Sequence, residues 1–84
     1  MNHVTNKDRA DWAMEAVRAF AECTRQDAEQ CREEVIGDLL TDLMHLCHQL
    51  PIGIINVRNF VEASLACYEE EIEEELENYR RLPG

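Results

Sequence analysis

The sequence is poor in residues that interrupt helices and in positive charge. Only two prolines and three glycines occur among its 84 residues, which excludes collagen-like and low-complexity disordered compositions. Eight lysines and arginines stand against 18 aspartates and glutamates, so the formal net charge is −10. That charge repels nucleic-acid backbones and anionic membrane surfaces. We therefore expect direct binding neither to nucleic acid nor to a membrane.

Long hydrophobic runs and paired cysteine motifs are also missing. No stretch approaches the roughly 20 apolar residues of a membrane-spanning helix, and segment 1–11 lacks the apolar core of a secretory signal. A cytoplasmic location is the resulting expectation. Because that compartment is reducing, we expect Cys23, Cys31, Cys47 and Cys67 to be small buried hydrophobic residues rather than a disulfide framework.

Apolar residues at three- and four-residue spacing predict three helices, at about 7–23, 26–50 and 57–81. The first is predicted to be the shortest, with Thr5 or Asn6 as its N-cap. Its apolar face contains Ala13, Ala16, Val17 and Phe20, with Trp12 on the flank.

A start signal for the second helix is predicted at Thr24, with Asp27 in the acidic position of a capping box. Pro51 and Gly53 end it and begin a turn over 51–56. Its core-facing seam is predicted to consist of Ile36, Leu40, Leu43, Cys47 and Leu50, widened by Val35, Leu39 and Leu46.

The third helix, capped by Asn56, has an unusually long apolar stripe. A chain of this size buries only about 60% of the surface that its unfolded form exposes, and one short helix cannot cover two long seams. We therefore predict an all-α, three-helix single domain that a second copy completes into a helical bundle. The residues assigned to the core or dimer interface are Leu65, Tyr68, Ile72 and Leu76.

Segment 69–77 has seven carboxylates in nine positions. One interpretation is a solvated helix face whose like charges mildly destabilise the helix. The functional interpretation is a negatively charged surface that docks on a basic protein surface. Because Ile72 and Leu76 commit one side of the helix to a core, the carboxylates predicted to face outward together are Glu70, Glu73, Glu74 and Glu77.

A second group of polar residues follows the central helix. Glu34, Asp38, Asp42 and His45 are spaced by four, four and three residues, which places them along one side. Such carboxylates either form a solvated face or hold Mg²⁺ through one or two oxygens. Asp42 lies at the apolar boundary, where partial burial is expected. The nearby His45, Cys47 and His48 do not converge on one point, so zinc binding is disfavoured.

Segment 33–40, EEVIGDLL, followed by an apolar helix and a short loop, resembles the second metal-binding motif of the MazG-type all-α nucleotide pyrophosphohydrolases. The resemblance covers about a quarter of the chain. It implies Mg²⁺ bound by Glu34 and Asp38 and hydrolysis of nucleotides within an oligomer. In that family the aspartate follows the second glutamate one residue sooner, and the preceding helix has a further glutamate motif for which Glu15 and Glu22 are no substitute.

A second resemblance covers more of the chain. Segments 11–20, 38–45 and 60–69 are together similar to small uncharacterised bacterial helical proteins of mobile elements. The resemblance implies a bacterial cytoplasmic origin and three helices with short connections, but no activity.

The sequence therefore favours a non-enzymatic, dimeric protein-interaction module that contacts its partner through the acidic third helix. The alternative is a divergent MazG-like hydrolase that uses Mg²⁺ at Glu34, Asp38 and Asp42.

Overall fold

The computed structural model describes residues 3–50 and 56–81. They contain three α-helices and no strand: α1 (Asn6–Thr24), α2 (Arg32–Gln49) and α3 (Val57–Arg80). The prediction of an all-α, three-helix chain is confirmed. Among the described residues, no helix combines the length and the apolar character that crossing a bilayer requires.

Helix α1 begins with a reciprocal capping box between Thr5 and Asp8. The Thr5 hydroxyl accepts a hydrogen bond from the Asp8 backbone N–H at 3.1 Å, and the Asp8 carboxylate accepts one from the Thr5 N–H at 3.0 Å. These two bonds satisfy N–H groups that have no partner inside the helix. Of the two caps predicted, Thr5 is therefore the residue used.

Helix α1 ends at a left-handed residue, and this shifts the start of the next helix. Arg25 has φ 58° and ψ 39°, and the N–H of Gln26 donates to the Ala21 carbonyl at 2.8 Å. This pattern closes a helix C-terminus. Thr24 belongs to α1, where its hydroxyl donates to the Phe20 carbonyl at 3.0 Å, so the prediction that it caps the second helix is wrong.

The second helix starts at Arg32 rather than at 26. Asp27 organises a turn instead of a helix start, because its carboxylate accepts from the backbone N–H groups of Glu29 at 2.9 Å and Gln30 at 3.1 Å. Aspartate commonly forms such local turns. As a result α2 has 18 residues and α1 has 19, so α1 is not the shortest helix.

By its internal contacts the chain forms two compact units, residues 1–53 and 54–84, and that it forms a single domain stays a prediction. The first unit is a hairpin of α1 and α2 around a small core. Met14, Phe20 and Leu39 pack against that core from its edge. The buried residues of the core are Val17, Ala21, Ala28 and Val35.

Helix α2 contacts the core through the edge of its predicted seam. Val35 is completely buried and Leu39 is half-buried. By contrast Ile36, Leu40 and Leu43 are exposed, Leu40 by 55%. The prediction that these three residues face a core is wrong for the hairpin, because α1 covers only the Val35 side of α2.

The cysteines also differ from the prediction. Cys23, Cys31 and Cys67 are exposed and Cys47 is half-buried, so the prediction that the cysteines are buried is wrong for three of the four. All four are free thiols.

Helix α3 dominates the second unit and has 24 residues. The Asn56 side chain accepts from the Asn59 N–H at 3.1 Å, which confirms the predicted cap. Arg80 lies in the last turn, where positive charge suits the helix dipole. The predicted turn over 51–56 lies, apart from Asn56, outside the described residues. No residue of α3 is buried.

Candidate interaction surface

Apolar side chains of α3 form an exposed stripe along one side of the helix. Leu65 is 54% exposed, Tyr68 58% and Leu76 49%, whereas Ile72 is half-buried. Spacings of three and four residues place these side chains on one face. We call this surface the apolar stripe; its members are Val57, Phe60, Val61, Leu65, Tyr68, Ile72, Leu76 and Tyr79.

The C-terminal half of the apolar stripe contains a shallow groove. Its lining combines three apolar and three charged side chains: Tyr68, Ile72 and Leu76, and Glu69, Glu73 and Arg80. Side chains at positions i, i+4 and i+8 leave such gaps, into which a facing helix inserts its own side chains. The groove therefore has a form suited to a second helix.

The opposite side of α3 carries the predicted docking carboxylates, and all four are exposed. Helical spacing places Glu70, Glu74 and Glu77 on the side away from the apolar stripe, whereas Glu73 also borders the groove. Glu77 lies 3.9 Å from Arg81, a surface pair of little energetic weight. We call this surface the acidic face; it consists of Glu70, Glu73, Glu74 and Glu77.

The carboxylates on α2 are spread along one exposed side of the helix. Glu34, Asp38 and Asp42 are all exposed, so the partial burial expected for Asp42 is wrong. The Asp38 carboxylate accepts a hydrogen bond from the Gln26 side-chain amide at 2.9 Å. Among residues 3–50 and 56–81, the structure brings no three His, Cys, Asp or Glu side chains into an arrangement that could hold a metal ion.

Sequence reasoning missed a second exposed apolar surface, on α2. It assigned Ile36, Leu40, Leu43 and Leu46 to a core, but all four are exposed, as is Met44. The apolar face of α1 consists largely of alanine and is therefore too small to cover all of the apolar residues of α2. This feature of the sequence could have revealed the exposed surface. The first unit therefore also presents apolar surface to solvent.

Ion pairs link the two helices of the hairpin through the intervening turn. Arg18 lies 3.3 Å from Glu29, which in turn lies 3.2 Å from Arg32. All three side chains are more than half exposed. Such pairs contribute at most about 1 kcal/mol each, so they orient the turn and do not form a chemical site.

Comparison with known protein families, curated proteins and solved structures gives no match. The surfaces of the chain itself are therefore the basis for a functional proposal, and the most distinctive of them lie on α3.

Proposed function

We propose that this chain is a non-enzymatic protein-interaction module that self-associates through the apolar stripe and presents the acidic face to a basic protein surface. The observation that carries the proposal is that α3, with 24 residues, buries none of them. Contiguous apolar surface rimmed by charge is typical of protein interaction sites.

Burial of the apolar stripe is the energetic basis of the proposed self-association. Complete burial of a large apolar side chain contributes about 1.5–3 kcal/mol, so covering the exposed half of one contributes roughly 1 kcal/mol. The eight residues of the stripe, on two copies, then supply on the order of 10–20 kcal/mol. Association itself costs about 4–15 kcal/mol. Burial of the stripe is therefore of the same order as the cost of association, and it is the main favourable contribution to a dimer.

A second copy also explains why α3 is helical at all. Most helical stability in proteins comes from packing an amphipathic face, and isolated helices are marginal in water. The like charges of segment 69–77 oppose the helix further, by a few tenths of a kcal/mol for each pair four residues apart. Packing of the apolar stripe would offset both costs.

Most of the acidic face remains available in such a dimer, because Glu70, Glu74 and Glu77 lie on the side away from the apolar stripe. A basic protein surface would relieve the repulsion among its carboxylates and would be attracted over about 8 Å at physiological ionic strength. The partner class that fits this face is therefore a protein with a positively charged surface.

The docking hypothesis is tested by changing the acidic face to glutamine at all four positions. The control changes four exposed carboxylates of the hairpin, Glu15, Glu22, Glu33 and Glu34, so that both variants lose the same charge. Immobilised native chain and the two variants are used to capture proteins from cells of the source organism, with quantification of each protein recovered.

We expect at least one basic protein to be recovered by the native chain and the control but lost with the acidic-face variant and with 0.5 M salt. Helicity should stay equal or rise slightly, since repulsion is removed. Recovery that is indifferent to both the substitutions and the salt would mean that the acidic face is only a solvated surface.

A further inference from the structure

Within α3 a second, stricter periodicity runs through the apolar stripe. Counting from Arg58 in alternating steps of three and four residues gives seven positions over about three heptads, and all of them except Arg58 and Glu75 are apolar or aromatic. This spacing is the core pattern of a coiled coil. The seven core positions are Arg58, Val61, Leu65, Tyr68, Ile72, Glu75 and Tyr79.

Two of these core positions are charged, and their charges are opposite. Arg58 and Glu75 are both exposed, and within the described part of the chain neither makes a salt bridge or side-chain hydrogen bond. A charge in a coiled-coil core is costly unless it is paired, and such residues specify register and orientation. Their placement therefore restricts how a second α3 can pack.

We infer that α3 pairs with α3 of a second copy in the antiparallel direction, with the two-fold axis between Ala66 and Cys67. This inference specifies the geometry of the proposed self-association and depends on it. In this register each core residue faces a core residue of the second copy, and the two residue numbers add up to 133. Arg58 then faces Glu75 of the second copy, and the two-fold axis repeats the pair at the other end.

The same register matches apolar residues with apolar residues. Val61 faces Ile72 and Leu65 faces Tyr68, each pair occurring twice because an isologous interface repeats every contact. Val61, Leu65 and Tyr68 are exposed in the single chain, and Ile72 is half-buried.

A parallel pair in register is disfavoured by charge. It would place Arg58 against Arg58 and Glu75 against Glu75 in the core, and the acidic segments 69–77 of both copies side by side. Like charges brought together in this way cost several kcal/mol. Antiparallel packing instead sets segment 69–77 against 56–64, whose only acidic residue is Glu62.

Antiparallel registers shifted by one heptad are also disfavoured. If the numbers of facing core residues added up to 126, Arg58 would face Tyr68. If they added up to 140, Glu75 would face Leu65. Both leave an unpaired charge against an apolar side chain, and the register with a sum of 126 also shortens the overlap of the two helices. The register that pairs Arg58 with Glu75 is the one that satisfies both charges.

The acidic face keeps its role in this arrangement. Counting from the core positions, its four carboxylates occupy the outer positions of the heptads, away from the second helix. The dimer would therefore display two acidic faces pointing outward, one on each copy and running in opposite directions. A partner with two basic surfaces would gain from binding both at once.

The inference is tested by exchanging the two charges and measuring the dimer dissociation constant by sedimentation equilibrium. Arg58→Glu or Glu75→Arg alone puts like charges together in two layers, and we expect each to raise Kd at least about tenfold. The double variant restores opposite charges, and we expect its Kd to return to within about threefold of the native value. Glu74→Arg, which makes the same charge change as Glu75→Arg at an outer position, serves as the control and should shift Kd by less than about threefold.

A cross-linking measurement tests orientation independently, in a chain whose four cysteines are replaced by serine. Val61→Cys and Ile72→Cys are prepared separately and treated with a short bis-maleimide. We expect each variant alone to remain largely uncross-linked and their mixture to give covalent dimers. Efficient cross-linking of each variant alone, or a double charge variant as weak as the single ones, would overturn the antiparallel register. A native chain that stays monomeric would instead overturn self-association itself.

Discussion

At the scale of single residues, polar side chains at the N-terminus of α1 determine where the helix begins. Thr5 and Asp8 cap it reciprocally, and the Lys7 ammonium donates to the Asp11 carboxylate at 2.9 Å. That hydrogen bond, together with the charge of Asp11, raises the pKa of Lys7. Thr5 was identifiable from the sequence because a threonine followed three residues later by an acidic residue is a frequent helix start.

Asp8 makes the stability of the hairpin depend on pH. The Thr5 backbone N–H donates to its carboxylate and holds the pKa of Asp8 below its usual value. A lowered pKa in the folded state means that ionised Asp8 stabilises the fold above the unfolded-state pKa, and that this contribution is lost as the pH falls through the folded-state pKa.

We therefore expect Asp8→Asn to lower the melting temperature at pH 7. The difference from the native chain should shrink as the pH falls below about 4 and then vanish. Thermal melts followed by circular dichroism between pH 7 and pH 2 measure it. Asp42→Asn, which removes an exposed carboxylate, is the control and should have little effect at any pH. A difference that persists undiminished at pH 2 would contradict the role of the Asp8 charge.

Val35 is the residue on which the hairpin core depends most, because its exposure is 0%. Val35→Ala removes two buried carbon atoms and leaves a cavity, which should lower the free energy of unfolding by about 2 kcal/mol. Denaturant titration measures this change. Val4→Ala makes the same change at a side chain that is 48% exposed and should alter stability by less than about 0.5 kcal/mol. Equal effects of the two substitutions would contradict the assignment of the core.

At the scale of helices, sequence periodicity predicted that three helices exist better than it predicted their ends and their contacts. The predicted start at 26 fails because Arg25 adopts a left-handed conformation and Asp27 closes a turn. Both are local conformations that compete with a helix start. The predicted seam of α2 does lie along the helix as an apolar stripe. Periodicity does not say, however, which part of such a stripe a neighbouring helix covers.

The state of α3 should depend on protein concentration, because none of its residues is buried in the single chain. Amide hydrogen exchange is measured well above the dimer dissociation constant and after a hundredfold dilution. We expect amides near Leu65 and Tyr68 to lose protection on dilution, since a helix without packing is marginal. Leu65→Lys should show the diluted behaviour at both concentrations. Equal protection of α3 in the native chain at both concentrations would contradict the prediction.

At the scale of the whole molecule, charge and apolar surface define two different faces of α3. The acidic segment 69–77 and the apolar stripe could both be recognised in the sequence, because each is a simple pattern. The pairing of Arg58 with Glu75 was not, since neither residue belongs to the four-residue spacing that dominates the stripe. The pairing requires that α3 is one uninterrupted helix and that none of its core positions is buried in the single chain, and the structure has both properties.

The mass of the native chain in solution tests self-association through α3 most directly. Sedimentation equilibrium at micromolar to millimolar concentration should give twice 9.8 kDa. Leu65→Lys places a charge in the apolar stripe and should give 9.8 kDa. Trp12→Lys changes an equally exposed apolar residue of α1, 61% exposed, and should remain dimeric. A native chain of 9.8 kDa at the highest concentration, or a Leu65→Lys variant that is as dimeric as the native chain, would contradict the account.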